Sequence, residues 1–236
     1  MSTHKYLHDN RNDKILIYIN GEILPRKKAK ISVFDSGFLL GDGVWEGIRF
    51  HNGYLVFIQE HLDRLFDGAS SLDIDIGISK DRIKSLIISV LDANRMVTDI
   101  HIRLIVSRGL KKTPYQHPNA NEGSASIVVI PEYKKADKTI NKKGISLATV
   151  SARRGTAETQ DPRLNTLSKL NCIFACIEAD KKGADEGLMK DVNGNVSTCN
   201  STNFFIIKEK EVWTSTGEYC LPVSYTHLTL PTNREV

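Results

Sequence analysis

The stretch that decides the fold is Asp35–Phe57, DSGFLLGDGVWEGIRFHNGYLVF, with glycines at 37, 41, 43 and 47 and the dipeptide Asn52-Gly53 near its end. Asn-Gly accepts positive φ at both positions, the requirement of a tight hairpin turn, so the second half predicts strand, turn, strand. The first half predicts a Gly-rich loop. Its glycines follow neither the G-x-G-x-x-G spacing of a dinucleotide fold nor the Gly-Lys-Ser/Thr ending of a P-loop, so a nucleotide cradle is not indicated.

Working outward, KILIYINGEIL (14–24) carries a second Asn-Gly at 20–21 inside a short apolar run and predicts another hairpin. Downstream, Leu62, Leu65 and Phe66 predict an amphipathic helix from Ile58 to about Leu72. Ser79 opens a second helix, whose apolar stripe Ile83, Leu86, Ile87, Val90, Leu91 keeps helical spacing. HIRLIVSRGL (101–110) and SIVVI (126–130) read as strands, and the Lys-rich PEYKKADKTINKKG (131–144) as a linker near 132–144. Then follow a strand at ISLATV (145–150) and a helix from Leu170 to Lys182 stopped by Gly183. GLMKDVNGNVST (187–198) predicts a hairpin turning at Asn193-Gly194, and NFFIIKEKEVWTS (203–215) a strand pair with its own turn. Strands flank isolated helices without strict βαβ alternation, which predicts an α+β fold in two lobes.

Composition narrows the function classes. The 236 residues hold one or two globular units, and 40% apolar with 25% charged residues excludes a disordered or fibrous chain. A net charge of +4, with basic runs at 26–30 and 134–143 that lack interleaved aromatics, reads as solvated surface and not as a nucleic-acid patch. No apolar run is long enough to span a membrane and the start MSTHKYLHDNRNDK has no apolar leader, so a soluble, cytoplasmic protein is expected. Cys172, Cys176, Cys199 and Cys220 show no Cys-x-x-Cys spacing and are expected to be buried free thiols. No metal site is expected.

Individual residues carry two readings at this level. Arg64 lies one helical turn beyond Glu60, which predicts a surface ion pair, yet a planar guanidinium is also what a phosphate-bearing cofactor requires. Arg103 and Arg108 lie in a strand of alternating character and are expected to face outward, because an inward guanidinium needs a carboxylate. Lys169 stands at the start of a helix, where it gains nothing from the macrodipole but would serve as a nucleophile if buried.

Taken together, YINGEIL, DSGFLLGDGVWEGIRF, EHLDRL, a Lys-rich helix start, GADEGLMKDVNGNV and NSTNFFI occur in an order that resembles the class IV aminotransferases. These are pyridoxal-phosphate proteins that include branched-chain and D-amino acid aminotransferases and aminodeoxychorismate lyase. The resemblance runs from about Ile15 to Leu221. It implies a homodimer without nucleic-acid or membrane partners. It also implies an N-terminal α+β lobe over 1–131, the linker 132–144, an incomplete larger lobe over 145–221, and a tail at 222–236 that matches nothing in the family.

The implied activity is a pyridoxal 5'-phosphate-dependent transamination between an amino acid, branched-chain or related, and a 2-oxo acid. A catalytically silent member that binds cofactor or another small ligand is the alternative, and a lyase acting on aminodeoxychorismate a third option. By position, Arg64 matches the arginine that binds the cofactor phosphate, Trp45 stands where relatives carry a Tyr or Phe facing the substrate, and Arg103 lies in the strand that holds a substrate-side arginine.

Two positions depart from the family. Four residues after Gly194, where a glutamate usually keeps the ring nitrogen protonated, this chain has Thr198. Counting back from Gly183 without gaps puts Asn165 at the cofactor-linking lysine, with Lys169 one helical turn downstream and able to reach from the same face. Lys169 is therefore the catalytic candidate, a lost lysine the alternative.

Overall fold

The computed structural model describes residues 8–135 and 140–221, so the non-family tail expected at 222–236 lies outside the described residues. The chain forms two compact units. One holds 8–135 together with 165–168, the other 140–164 and 169–221.

The first unit is a six-stranded sheet covered on one face by helices. Strands β1 (Leu16–Ile19) and β2 (Glu22–Pro25) make the first hairpin, with Asn20 at φ 47° and Gly21 at φ 104°. Helix α1 (Ser36–Leu40) follows, then β3 (Gly43–His51), β4 (Tyr54–Leu55), α2 (Ile58–Ser71), α3 (Lys80–Ala93) and β5 (Ile100–Ser107). The short pair β6 (Leu110–Lys111) and β7 (Asn121–Glu122) stands apart, and β8 (Ser126–Tyr133) completes the sheet in the order β2-β1-β8-β5-β3-β4. The β1–β2, β1–β8, β8–β5, β5–β3 and β3–β4 pairs are all antiparallel.

Strict alternation fixes which face is inside. Ile100, Ile102, Leu104 and Val106 of β5 are buried with Val44 and Ile48 of β3, against Leu62 and Leu65 of α2 and Ile83, Ile87 and Val90 of α3. Each such side chain contributes about 1.5–3 kcal/mol by leaving water. The helix at 58–72 and the Ser79 cap are as expected, Ser79 Oγ accepting from Arg82 N at 3.2 Å. The Gly-rich loop expected before β3 is instead the one-turn helix α1. Asp35 caps it by accepting from Gly37 N at 2.8 Å, and Gly41 ends it in the left-handed region.

Residues 165–168 belong to this unit, a re-entry that no sequence signal announces. They pair with the open edge of β3, opposite β5: Trp45 N donates to Asn165 O at 2.9 Å, Leu167 N to Gly43 O at 2.9 Å, and Val44 and Thr166 form an antiparallel bridge. Glycine is required at 43, because a Cβ there would lie 2.5 Å from Val106 O and 2.7 Å from Leu167 Cδ1.

The second unit contains α4 (Ile140–Lys143), β9 (Leu147–Arg154), α5 (Ala157–Gln160), α6 (Leu170–Lys181), β10 (Glu186–Asp191), β11 (Val196–Cys199), β12 (Phe205–Lys208) and β13 (Glu211–Thr214). β9 and β10 are parallel and joined through α6, a single β-α-β unit, so strict alternation is absent along the chain; β10–β11 and β12–β13 are antiparallel hairpins. The core is small: Val150, Met189, Ala175 and Ala179. Outside it, α6 exposes Leu170, Ile173, Phe174 and Ile177, which fall on one helical stripe.

Candidate functional site

In the first unit, β3 places Glu46 between Val44 and Ile48 on the core face, where it is completely buried. A buried carboxylate must be paired. α2 supplies the partners from one face, three residues apart. Arg64 Nε donates to Glu46 Oε1 at 2.7 Å and Arg64 Nη2 to Oε2 at 2.5 Å, while His61 Nδ1 lies 2.8 Å from Oε2. Arg64 thus pairs with Glu46 across the fold and not with Glu60 along the helix.

This bidentate grip uses one edge of the guanidinium. The remaining nitrogen, Nη1, is shielded from solvent and has no hydrogen-bond partner. A charged donor left in this state costs more than the roughly 1–3 kcal/mol of a neutral one, and an anion would relieve it.

The opposite face of β3 carries Trp45. The Arg103 guanidinium stacks on its indole, 3.8 Å from the ring centroid. Burial pulls the Arg103 pKa down, and the charge of Glu132 opposes the shift. Arg103 is thus half-buried and stacked, with no guanidinium hydrogen bond among the described residues, whereas Arg108 is committed elsewhere. It grips Asp42 at 2.7 and 3.0 Å and donates to the carbonyls of Leu72 and Asp73, so it does not face outward.

Beside Trp45 stands Asn165, only 5% exposed. Its Nδ2 donates to Trp45 O at 2.7 Å, and the neighbouring Thr166 O accepts from Trp45 Nε1 at 3.1 Å. Arg64, Trp45, Arg103 and Asn165 are therefore all held by two adjacent residues of β3 or their immediate partners.

The second unit holds the other two sequence candidates. Lys169 is the half-buried residue that precedes α6, its carbonyl accepting from Ile173 N at 3.0 Å. Thr198 on β11 is buried, and its hydroxyl lies 2.8 Å from Thr202 O and 3.1 Å from Asn203 Oδ1. Asn203 Nδ2 donates to Leu221 O, which turns its oxygen toward Thr198. Both neighbours accept, so the single hydroxyl proton of Thr198 is spent on them and only its lone pairs remain.

Thr202 also donates to the buried Glu186 at 2.7 Å. Cys199 is pushed up to about 11, first by burial and then by the Glu186 charge. The expectation of four buried thiols holds for Cys199 and Cys220, while Cys172 is half-buried and Cys176 exposed. Among the described residues no group of three His, Cys, Asp or Glu side chains is placed to hold a metal.

Sequence reasoning missed Glu46 and His61. The signal was present: Glu46 keeps the inward phase of Val44 and Ile48, so a strand reading demands a basic partner for it.

Residues 43–222 match the family model of the class IV amino-transferases. The chain is 39% identical over 211 residues to branched-chain-amino-acid aminotransferase-like protein 1 of Arabidopsis thaliana, covering 89% of this chain and 38% of that protein. It is 36% identical over 192 residues to a putative branched-chain-amino-acid aminotransferase of Methanocaldococcus jannaschii, covering 81% and 65%. The chain thus spans less than two thirds of these curated relatives. Among solved structures, a T.th. branched-chain amino acid aminotransferase complexed with N-(5'-phosphopyridoxyl)-L-glutamate superposes with a TM-score of 0.78 at 25% identity, over 89% of this chain and 69% of that one.

Proposed function

The chain belongs to the class IV aminotransferases, and from that premise we propose that it binds pyridoxal 5'-phosphate and transfers an amino group between an amino acid, branched-chain or related, and a 2-oxo acid. The observation that carries this reading is the buried, unpartnered Nη1 of Arg64, a charged donor fixed by Glu46 and waiting for an anion. The residues fit a phosphate-bearing cofactor on that ground. A solved structure of the same fold holds a phosphopyridoxyl ligand.

When bound, the cofactor supplies the electron sink for labilising the bond to the substrate α-hydrogen. The chain supplies the rest. Arg64 holds the phosphate by directional, charge-assisted hydrogen bonds. Lys169 links the cofactor and carries the proton of the substrate α-carbon at its Nζ. Thr198 offers the ring nitrogen only the lone pairs of a neutral oxygen in place of a carboxylate, which holds the protonated ring less firmly than a carboxylate would and so slows proton removal. Trp45 bounds the substrate side, and Arg103, stacked on it, takes the substrate carboxylate. In this reading the protein works in the cytoplasm as a homodimer, which light scattering on the purified chain checks.

The deciding experiment adds pyridoxal phosphate to the purified chain, reduces with borohydride and maps the peptides by mass. An adduct on Lys169 is expected. An adduct on another lysine overturns the catalytic assignment, and retained cofactor without any adduct identifies a silent binder. Arg64→Gln should weaken cofactor binding by about tenfold or more, the loss of one charge-assisted pair.

A further inference from the structure

Among the described residues of the first unit, Asn165 holds a second unsatisfied buried atom. Its Oδ1 is shielded from solvent and has no hydrogen-bond partner, although its Nδ2 is bonded to Trp45 O. The orientation of the amide is not arbitrary. Trp45 O can only accept, so the amide nitrogen must face it and the oxygen must face the other way. Nor is the side chain needed to hold the segment in place. The backbone bonds Trp45 N to Asn165 O and Leu167 N to Gly43 O, with Trp45 Nε1 to Thr166 O, already do so. What the side chain adds is a buried acceptor on the residue bonded to the backbone of Trp45, whose indole Arg103 covers.

We propose that Asn165 Oδ1 is a ligand-binding group that accepts an N–H from the amino group of the amine form of the cofactor and so selects that form. The inference rests on the reading of Arg64 as the phosphate anchor. Arg64 offers an unpaired donor, Asn165 an unpaired acceptor, and pyridoxamine 5'-phosphate carries an anion and an amine to match them. A lysine at position 165 would compete for the place of the amine; an amide oxygen welcomes it. The aldehyde form presents only an acceptor to Oδ1 and leaves it unsatisfied.

The test is calorimetry on the full chain with two probes, pyridoxamine 5'-phosphate and 4-deoxypyridoxine 5'-phosphate, in which a methyl group replaces the aminomethyl group. The wild-type chain should prefer the first by about tenfold or more, as expected for a hydrogen bond to a charged group. Asn165→Leu should abolish that preference while leaving the affinity for the deoxy probe within about threefold. A merely structural role would weaken both probes alike and leave their ratio unchanged, which overturns the proposal.

Should the variant fail to fold, the wild-type chain still decides. The Asn165 side-chain carbonyl carbon, followed by NMR, should shift on adding pyridoxamine phosphate and not on adding the deoxy probe. Equal shifts, or none with both probes bound, overturn the role of Asn165 alone. Failure of both probes to bind at all overturns the cofactor reading itself.

Discussion

Glu46 and Arg64 show how much a single pair governs in this fold. The carboxylate is fully buried and the arginine side chain 15% exposed, so the two charges are tolerable only together. Glu46→Leu should destabilise the first unit by about 3–5 kcal/mol, because it strands a buried guanidinium. Arg64→Met should also destabilise it, by leaving His61 as the one remaining side-chain partner of the buried carboxylate among the described residues. The double substitution should cost clearly less than their sum, since hydrophobic residues of like size replace the pair as a unit. Urea denaturation of the three variants measures this coupling; simple additivity would show that the pair is not energetically linked. At this scale the sequence was half legible. The HLDRL arginine could be singled out as a phosphate ligand by resemblance, but its partner lies 18 positions earlier on a strand, and sequence spacing along the helix pointed to Glu60 instead. Arg108 was misjudged for the same reason: its acceptors, Asp42, Leu72 and Asp73, converge only through tertiary structure.

Among the elements, hairpins and long helices were the most legible, because Asn-Gly pairs and a 3.6-residue stripe are local signals. The turns at 20–21, 52–53 and 193–194 and the helices α2, α3 and α6 all stand where local chemistry puts them. Helix α1 was hidden by its glycines, and only the Asp35 cap marks its start. α6 and β9 are fastened to each other through one carboxylate, by bonds that span 27 positions. Glu178 accepts from Ser151 N and Oγ at 2.8 and 2.6 Å and from Lys182 Nζ at 2.7 Å. These contacts, Lys182 first and Ser151 next, lower its pKa from 4.5 to about 2. A carboxyl whose folded value is depressed adds stability above its unfolded value and loses it as pH falls through the folded one. The contribution of Glu178 should therefore be complete above about pH 4.5 and gone near pH 2. In thermal melts, Glu178→Gln should lie below wild type at neutral pH and converge with it across that window. Parallel curves would show that the carboxyl does not titrate with folding.

At the scale of the whole chain, the second unit has the thinner core, and its helix α6 carries an exposed apolar stripe. Ile173 and Phe174 are 52% and 56% exposed, on the same stripe as Leu170 and Ile177. Such a stripe promotes self-association. Replacing Ile173 and Phe174 with Gln and Lys should reduce dye binding and light scattering of the 236-residue chain without lowering its melting temperature, since neither side chain contributes to the core of Val150, Ala175, Ala179 and Met189. A drop in melting temperature would mean that the stripe is packed in solution. The α+β class could be read from the order of elements and a linker near 132–144 from its composition, whereas the return of 165–168 to the first sheet carries no compositional mark.

That return also dictates when the first unit becomes complete. Trp45 and Thr166 are separated by 121 positions, so the part of the outer edge of β3 at 43–45, which β4 does not cover, stays unpaired while everything between them is being synthesised. On the ribosome, the sheet, both its covering helices and the Glu46 pair emerge well before the strip that seals them. During that interval the nascent chain presents a bare strand edge to its neighbours, the kind of template on which misassembly begins. Closing a loop of this length is entropically slow, and no local contact hastens it. The last bond to form in the first unit therefore waits for translation of the part of the second that precedes residue 165, and holdase chaperones should engage nascent chains that end before residue 165 more than those that have passed 168.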